Sequence, residues 1–86
     1  MSVRLCFDVA TADTDDGTVL LNERTGRYWQ LNATGAEVLL QLLAGHTPSQ
    51  VANKLAERHR IEVNQAQQDV TAVIDQLQAA GLAEAQ

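Results

Sequence analysis

The hydrophobic period of this chain changes once, near Leu31. Before that point apolar residues alternate with polar ones, the two-residue period of a half-buried strand. After it they recur every three or four residues, the period of an amphipathic helix. A chain with this order must fold as strands first and helices second. That excludes the alternating strand-helix pattern of a parallel α/β sheet.

Residues 3 to 9, "VRLCFDV", predict a first strand with Val3, Leu5, Phe7 and Val9 on one face. "ATADTDDG" follows as a polar, acidic loop, without the ligand spacing of a calcium loop. "TVLLN" is a second strand, rich in branched apolar side chains. "ERTG" is a hairpin turn in which Gly26 takes positive φ, and "RYWQL" is a third strand.

The helical half carries three start signals. Thr34 followed by Glu37 predicts a capping box and a helix from about Gly35 to Ala44, burying Val38, Leu39, Leu42 and Leu43. Gly45 ends it. Thr47, Pro48 and Gln50 start a second helix that runs to about Arg58 and buries Val51 and Leu55. Asn64 with Gln67 starts a third, stopped by Gly81. The expected architecture is α+β and winged-helix-like: an N-terminal three-stranded antiparallel sheet, then three helices. With 86 residues and no Pro- or Gly-rich linker, residues 1 to 86 are expected to form a single domain.

Composition narrows function more than it narrows fold. No apolar run is long enough to span a bilayer, and the alternating N-terminus, meeting Asp8 early, does not read as a signal peptide. The single Cys6 cannot form an internal disulfide, and the cytoplasm is the expected compartment. Cys6 lies in a strand, while His46 and His59 lie at helix ends. Their spacing assembles neither a nucleophile with its base nor a metal site. His46 reads as a turn residue and His59 as a cation at a helix C-terminus. No cofactor, metal or catalytic residue is expected, and the chain is not expected to be an enzyme.

A winged helix invites comparison with DNA-binding proteins, whose recognition helix carries Arg and Lys to the phosphates. Here the net charge is −5, and Ile61 to Gln86 contains no Lys or Arg at all. Counterion release cannot drive such a surface onto DNA. An acidic regulator, working on DNA or on a transcription protein, stands as the alternative reading. The leading class is a module that binds a peptide or a protein, with no nucleic acid and no membrane among its partners.

On a helical wheel, Val63, Val70, Ile74, Leu77 and Gly81 of the third helix form the seam toward the core. Val73 lies to one side with Ala66 and Ala80, and Asp69 and Gln76 lie further round. The apolar stripe is lopsided: either a wide core face or one wall of a groove. A third strand at the sheet edge would supply the other wall, with free backbone groups suited to an added peptide strand. "RYWQL" sharpens this. Adjacent strand residues face opposite ways, so Tyr28 and Trp29 cannot both enter the core. Trp29 alternates with Leu31 and is placed on the helix side. Tyr28 alternates with Gln30 on the outer face, either against a partner or simply half-exposed.

The stretch "GTVLLNERTGRYWQLNATGAEVLLQLLAGHTPSQVANKLAERH" with "DVTAVIDQLQAAGL" resembles the PqqD-like family of peptide-modification chaperones. These are the recognition elements for ribosomally made, post-translationally modified peptides. The junction "LNATG" and the ending "LLAG" of the first helix carry the likeness, over about residues 3 to 83. "TGRYWQLNATGAEV" is most similar to the stand-alone recognition proteins of lasso peptide clusters. The resemblance implies a non-catalytic protein that holds the leader of a precursor peptide for a separate leader peptidase. It implies that the leader, commonly carrying a Tyr-x-x-Pro element, adds as a strand to the third strand and packs on the third helix. By position, the strand contacts fall on Arg27, Tyr28, Trp29, Gln30 and Leu31, and the helix contacts on Asp69, Val73 and Gln76.

Overall fold

The computed structural model describes residues 3–85. Eight elements follow in order: β1 (Val3–Leu5), β2 (Val9–Thr14), β3 (Gly17–Asn22), β4 (Arg27–Asn32), α1 (Ala33–Leu43), α2 (Pro48–His59), α3 (Val63–Ala79) and β5 (Ala83–Ala85). β2, β3 and β4 form an antiparallel sheet in that order, so β2 and β4 are its two edges. The expected class, a three-stranded antiparallel sheet followed by three helices, is the one observed.

The membership of the sheet differs from expectation. The predicted strand over residues 3–9 divides at a turn, where the Val9 N–H donates to the Cys6 carbonyl at 3.1 Å. Val3–Leu5 pairs instead with Ala83–Ala85 near the other end of the chain. Phe7 sits in that turn and is 99% exposed, not on an inner face. The physical cause is a change of partner: the chain leaves one sheet at Leu5 and enters another at Val9. The predicted acidic loop "ATADTDDG" is the other half of the same correction. Val9–Thr14 pairs with Gly17–Asn22 along its whole length, and only Asp15 and Asp16 remain as the hairpin loop. Cross-strand pairing to the apolar β3 outweighs the poor strand propensity of Ala and Asp.

The β3–β4 turn is closed by Asn22. Its side-chain oxygen accepts from the N–H groups of Arg24 at 3.0 Å and Thr25 at 3.2 Å. Gly26 has φ 74°, as the turn requires.

α1 begins two residues earlier than the sequence predicts. Asn32 is the N-cap, accepting from the Gly35 N–H at 2.8 Å, so the expected Thr34/Glu37 capping box does not form. Glu37 points elsewhere, to Arg58 and His59. Leu43 is also more exposed than predicted. α2 starts as expected, with a complete capping box between Thr47 and Gln50 and Pro48 at the first turn. α3 starts one residue before Asn64, with Glu62 at the N-cap and no side-chain cap bond. It ends in a Schellman arrangement. Gly81, at φ 72°, donates to the Gln78 carbonyl at 3.0 Å, and Leu82 reaches back to the Leu77 carbonyl at 2.9 Å. That reversal sends β5 toward β1.

The buried residues form one cluster between the sheet and the helices. β3 and β4 contribute Leu20 and Leu31, α1 Val38, Leu39 and Leu42, α2 Val51 and Leu55, and α3 Ala66, Val70, Ile74 and Leu77. Of the predicted α3 seam, Val70, Ile74 and Leu77 are buried, while Val63 and Gly81 are exposed.

Candidate functional site

The open edge of β4 meets the C-terminal half of α3 across a cleft of about 520 Å³. Arg27, Tyr28 and Trp29 line it from the strand, and Gln76, Ala79 and Ala80 from the helix. Asn22 and Leu82 complete its lining.

Strand alternation sets what each β4 side chain does. Trp29 stands opposite Leu20 in the β3 register and packs half-buried on the core cluster. Leu31, two residues on, is buried. Tyr28 stands opposite Leu21 on the other face and is 72% exposed. Trp29 is therefore part core and part cleft wall, while Tyr28 lines the cleft with most of its ring in water. A buried ring with a wet hydroxyl is the usual use of Tyr at contacts.

The structure brings together four of the eight residues expected at the site: Arg27, Tyr28, Trp29 and Gln76. Leu31 lies beneath the edge in the core, and Gln30 points outward beside Val19. Val73 and Asp69 lie on α3 one and two turns before Gln76, on the same helical flank but outside the cleft lining. Val73 is half-buried against the core, so the lopsided stripe is partly a wide core face. The Asp69 carboxylate accepts from the Gln65 side-chain amide at 3.0 Å. Ala80 lines the cleft from the flank on which the helical wheel placed it, while Asn22, Ala79 and Leu82 line it without having been singled out in the sequence. Of the latter only Leu82 had a signal, as the apolar residue that follows the helix-ending Gly81.

Charge around the cleft is light. Arg27 is its cation, and it carries no carboxylate. The outer face of the sheet beside it is uncharged at the rows Ala10–Leu21–Tyr28 and Ala12–Val19–Gln30. An antiparallel sheet with a solvated face normally places polar residues there.

The remaining candidate chemical groups lie apart. Cys6 is a free, half-buried thiol at the start of the β1–β2 turn. His59 contacts Glu37 at 3.1 Å on the far side of the fold. Among the described residues no three His, Cys, Asp or Glu side chains gather as a metal site. No helix among them is long and apolar enough to cross a membrane.

Comparison with solved structures gives two close likenesses. The first is described as lasso peptide synthetase B1 complexed with the leader peptide. It is 39% identical, with a TM-score of 0.94, over 99% of this chain and 100% of that one. The second, TbiB1 in complex with the TbiA(beta) leader peptide, is 24% identical and shares the fold, with a TM-score of 0.86 over 100% and 98% of the two chains. No curated protein matches the chain in sequence. The family model described as coenzyme PQQ synthesis protein D (PqqD) matches residues 17–83, from the first residue of β3 into β5. A match over that much of the sequence, with the same sheet and helices in the solved relatives, means that this chain belongs to the PqqD family.

Proposed function

We propose that this protein binds the leader segment of a ribosomally made precursor peptide and delivers it to a separate leader peptidase in lasso peptide biosynthesis. The observation that carries the reading is the free edge of β4 beside the α3 cleft. A peptide lying there gains backbone hydrogen bonds from the edge and a side-chain pocket from the helix, the two components of strand addition. Arg27, Tyr28, Trp29, Gln30 and Leu31 supply the strand, with Leu31 holding it from below. Asp69, Val73 and Gln76 supply the helix flank, with Gln76 at the cleft itself. The likeness to a leader-bound synthetase B1 protein supports the same ligand class.

The role is binding and presentation, in the cytoplasm where precursor peptides are made. Nothing in the cleft pairs a nucleophile with a base, and its work is to order an extended chain. The lack of Lys and Arg in α3 argues against duplex DNA as the ligand.

Trp29 is the only tryptophan, and it lines the cleft, so its fluorescence reports occupancy directly. Titration with the leader encoded beside this protein is expected to shift that emission with a Kd in the micromolar range or tighter, about −8 kcal/mol. Duplex DNA at physiological salt is expected to leave it unchanged. An unresponsive Trp29 together with no calorimetric heat from the leader would remove the proposal.

A further inference from the structure

A second groove lies on the opposite side of the sheet from the β4 edge, bounded by the tip of the β2–β3 hairpin, the exposed side of α1 and the end of α2. It has a volume of about 600 Å³ and shares no lining residue with the β4–α3 cleft. Its floor is apolar. Leu39 is buried at the base, while Leu40 and Leu43 stand 70% and 40% exposed. Two of the large apolar side chains that this fold leaves in water therefore line one concavity, the usual mark of an interaction site.

The polar walls are unequal. At the α2 end, Glu37 lies between Arg58 at 2.9 Å and His59 at 3.1 Å, so both side chains there are already engaged. At the hairpin end, Asp13 accepts from the Thr18 hydroxyl at 3.3 Å, but neither it nor Asp15 has an ion pair among the described residues. The groove thus presents leucines beside two uncompensated carboxylates. Its complement is a protein segment that carries apolar side chains next to a Lys or Arg. Nucleic acid and anionic lipid have the wrong charge for it.

We propose that this groove docks the processing enzyme to which the leader is delivered, through an apolar segment of that enzyme with a basic residue placed against Asp13 and Asp15. The proposal rests on the leader-delivery reading above, and it gives an adaptor of that kind what it needs: two surfaces that can be filled at once. The leader occupies one sheet edge and the enzyme the region beyond the other. Leu40 is the anchor, since its side chain is mostly in water before docking and would be desolvated by it.

The test uses the full chain labelled with 15N, the cognate leader peptide and the purified leader peptidase. Leader alone is expected to perturb amides of β4 and the end of α3. Peptidase added to the leader-loaded protein is expected to perturb Ala36 to Leu43 and the hairpin tip. Leu40→Asp and the charge reversal Asp13→Lys/Asp15→Lys alter only exposed side chains. Both are expected to keep the leader Kd within about twofold and to weaken peptidase binding at least tenfold. Peptidase binding unchanged in both variants overturns the proposal. So does a response of the groove to leader alone, which makes it a peptide subsite, or to protein concentration alone, which makes it a contact between copies. Wild-type protein that binds leader but not peptidase overturns docking and leaves leader binding standing. Failure to bind leader at all overturns both, and the first titration identifies that case.

Discussion

Replacing Trp29 and Tyr28 one at a time by alanine tests how the edge strand is oriented. Removing a fully buried Trp side chain costs about 3–5 kcal/mol. Trp29 is half-buried, with one face on the core and one on the cleft. Roughly half of that loss is expected, about 2 kcal/mol, since the remaining surface is already in water. Tyr28 is 72% exposed and gives up mainly its cross-strand contact with Leu21. Such pairs contribute roughly 0.2–1 kcal/mol. In a domain of this size each kcal/mol moves Tm by about 4–8 °C. Trp29→Ala should therefore melt about 8–16 °C below the parent, and Tyr28→Ala less than about 8 °C below it. Thermal melts followed by circular dichroism at one protein concentration measure both. Equal midpoints, or a larger loss for Tyr28→Ala, would show that Trp29 does not support the core and that the assigned strand faces are wrong.

Four further substitutions probe the frame around the cleft. Asn32→Ala should cost about 1 kcal/mol by removing the α1 cap, while Thr34→Ala stays within about 0.5 kcal/mol; urea unfolding distinguishes this from the reverse order that a Thr34 cap would give. Gly17→Ala places a Cβ 1.9 Å from the Leu31 carbonyl oxygen, so β3 and β4 must part. A loss of about 1–3 kcal/mol, with weaker leader binding, is expected from melts and titration. Val73→Asp should lose about 2 kcal/mol, from its half-buried contact and from the like charge of Asp69 one turn away. It should also weaken leader binding about tenfold, and normal melting with normal binding would remove Val73 from the site.

Helices were more legible in the sequence than strands, for a physical reason. A helix satisfies its own backbone, so Thr47, Pro48 and Gln50 locate the start of α2 without reference to anything else. A strand is defined by its partner. Nothing within "VRLCFDV" says that its first half pairs near the C-terminus and its last residue with β3. The order β2-β3-β4 nevertheless leaves "RYWQL" at an edge, as the pattern allowed, because the strand that was misplaced lies on the other side of β3. The alternation that put Trp29 inward and Tyr28 outward was readable from two-residue periodicity alone. The cleft was readable only in part. Gln76 and Ala80 follow from the helical wheel, but Leu82 enters it through the reversal at Gly81. Asn32 was missed as a cap because Thr34 offered the same chemistry two residues later, and the choice depended on where β4 stops pairing.

Open strand edges invite aggregation, and proteins usually blunt them with Lys, Pro, bulges or inward-facing charge. The two edges of this sheet are treated differently. β2 carries Asp13 facing the side on which the core lies, and it leads into Asp15 and Asp16 at its tip. β4 pairs with β3 at every position from Arg27 to Asn32 without a bulge, contains no Pro or Lys, and has Arg27 as its single charge. It is also bounded at both ends. The Asn22-held turn precedes Arg27, and Asn32 turns the chain into α1. A strand added to β4 therefore meets a window of six residues, Arg27–Asn32, with Trp29 near its centre. Leaving that edge unguarded is a liability for a free protein and an advantage for one whose partner is itself an extended chain. The asymmetry favours β4 over β2 as the peptide edge on grounds independent of the cleft and of the family, and it predicts that residues of the ligand beyond such a window contribute little to backbone pairing.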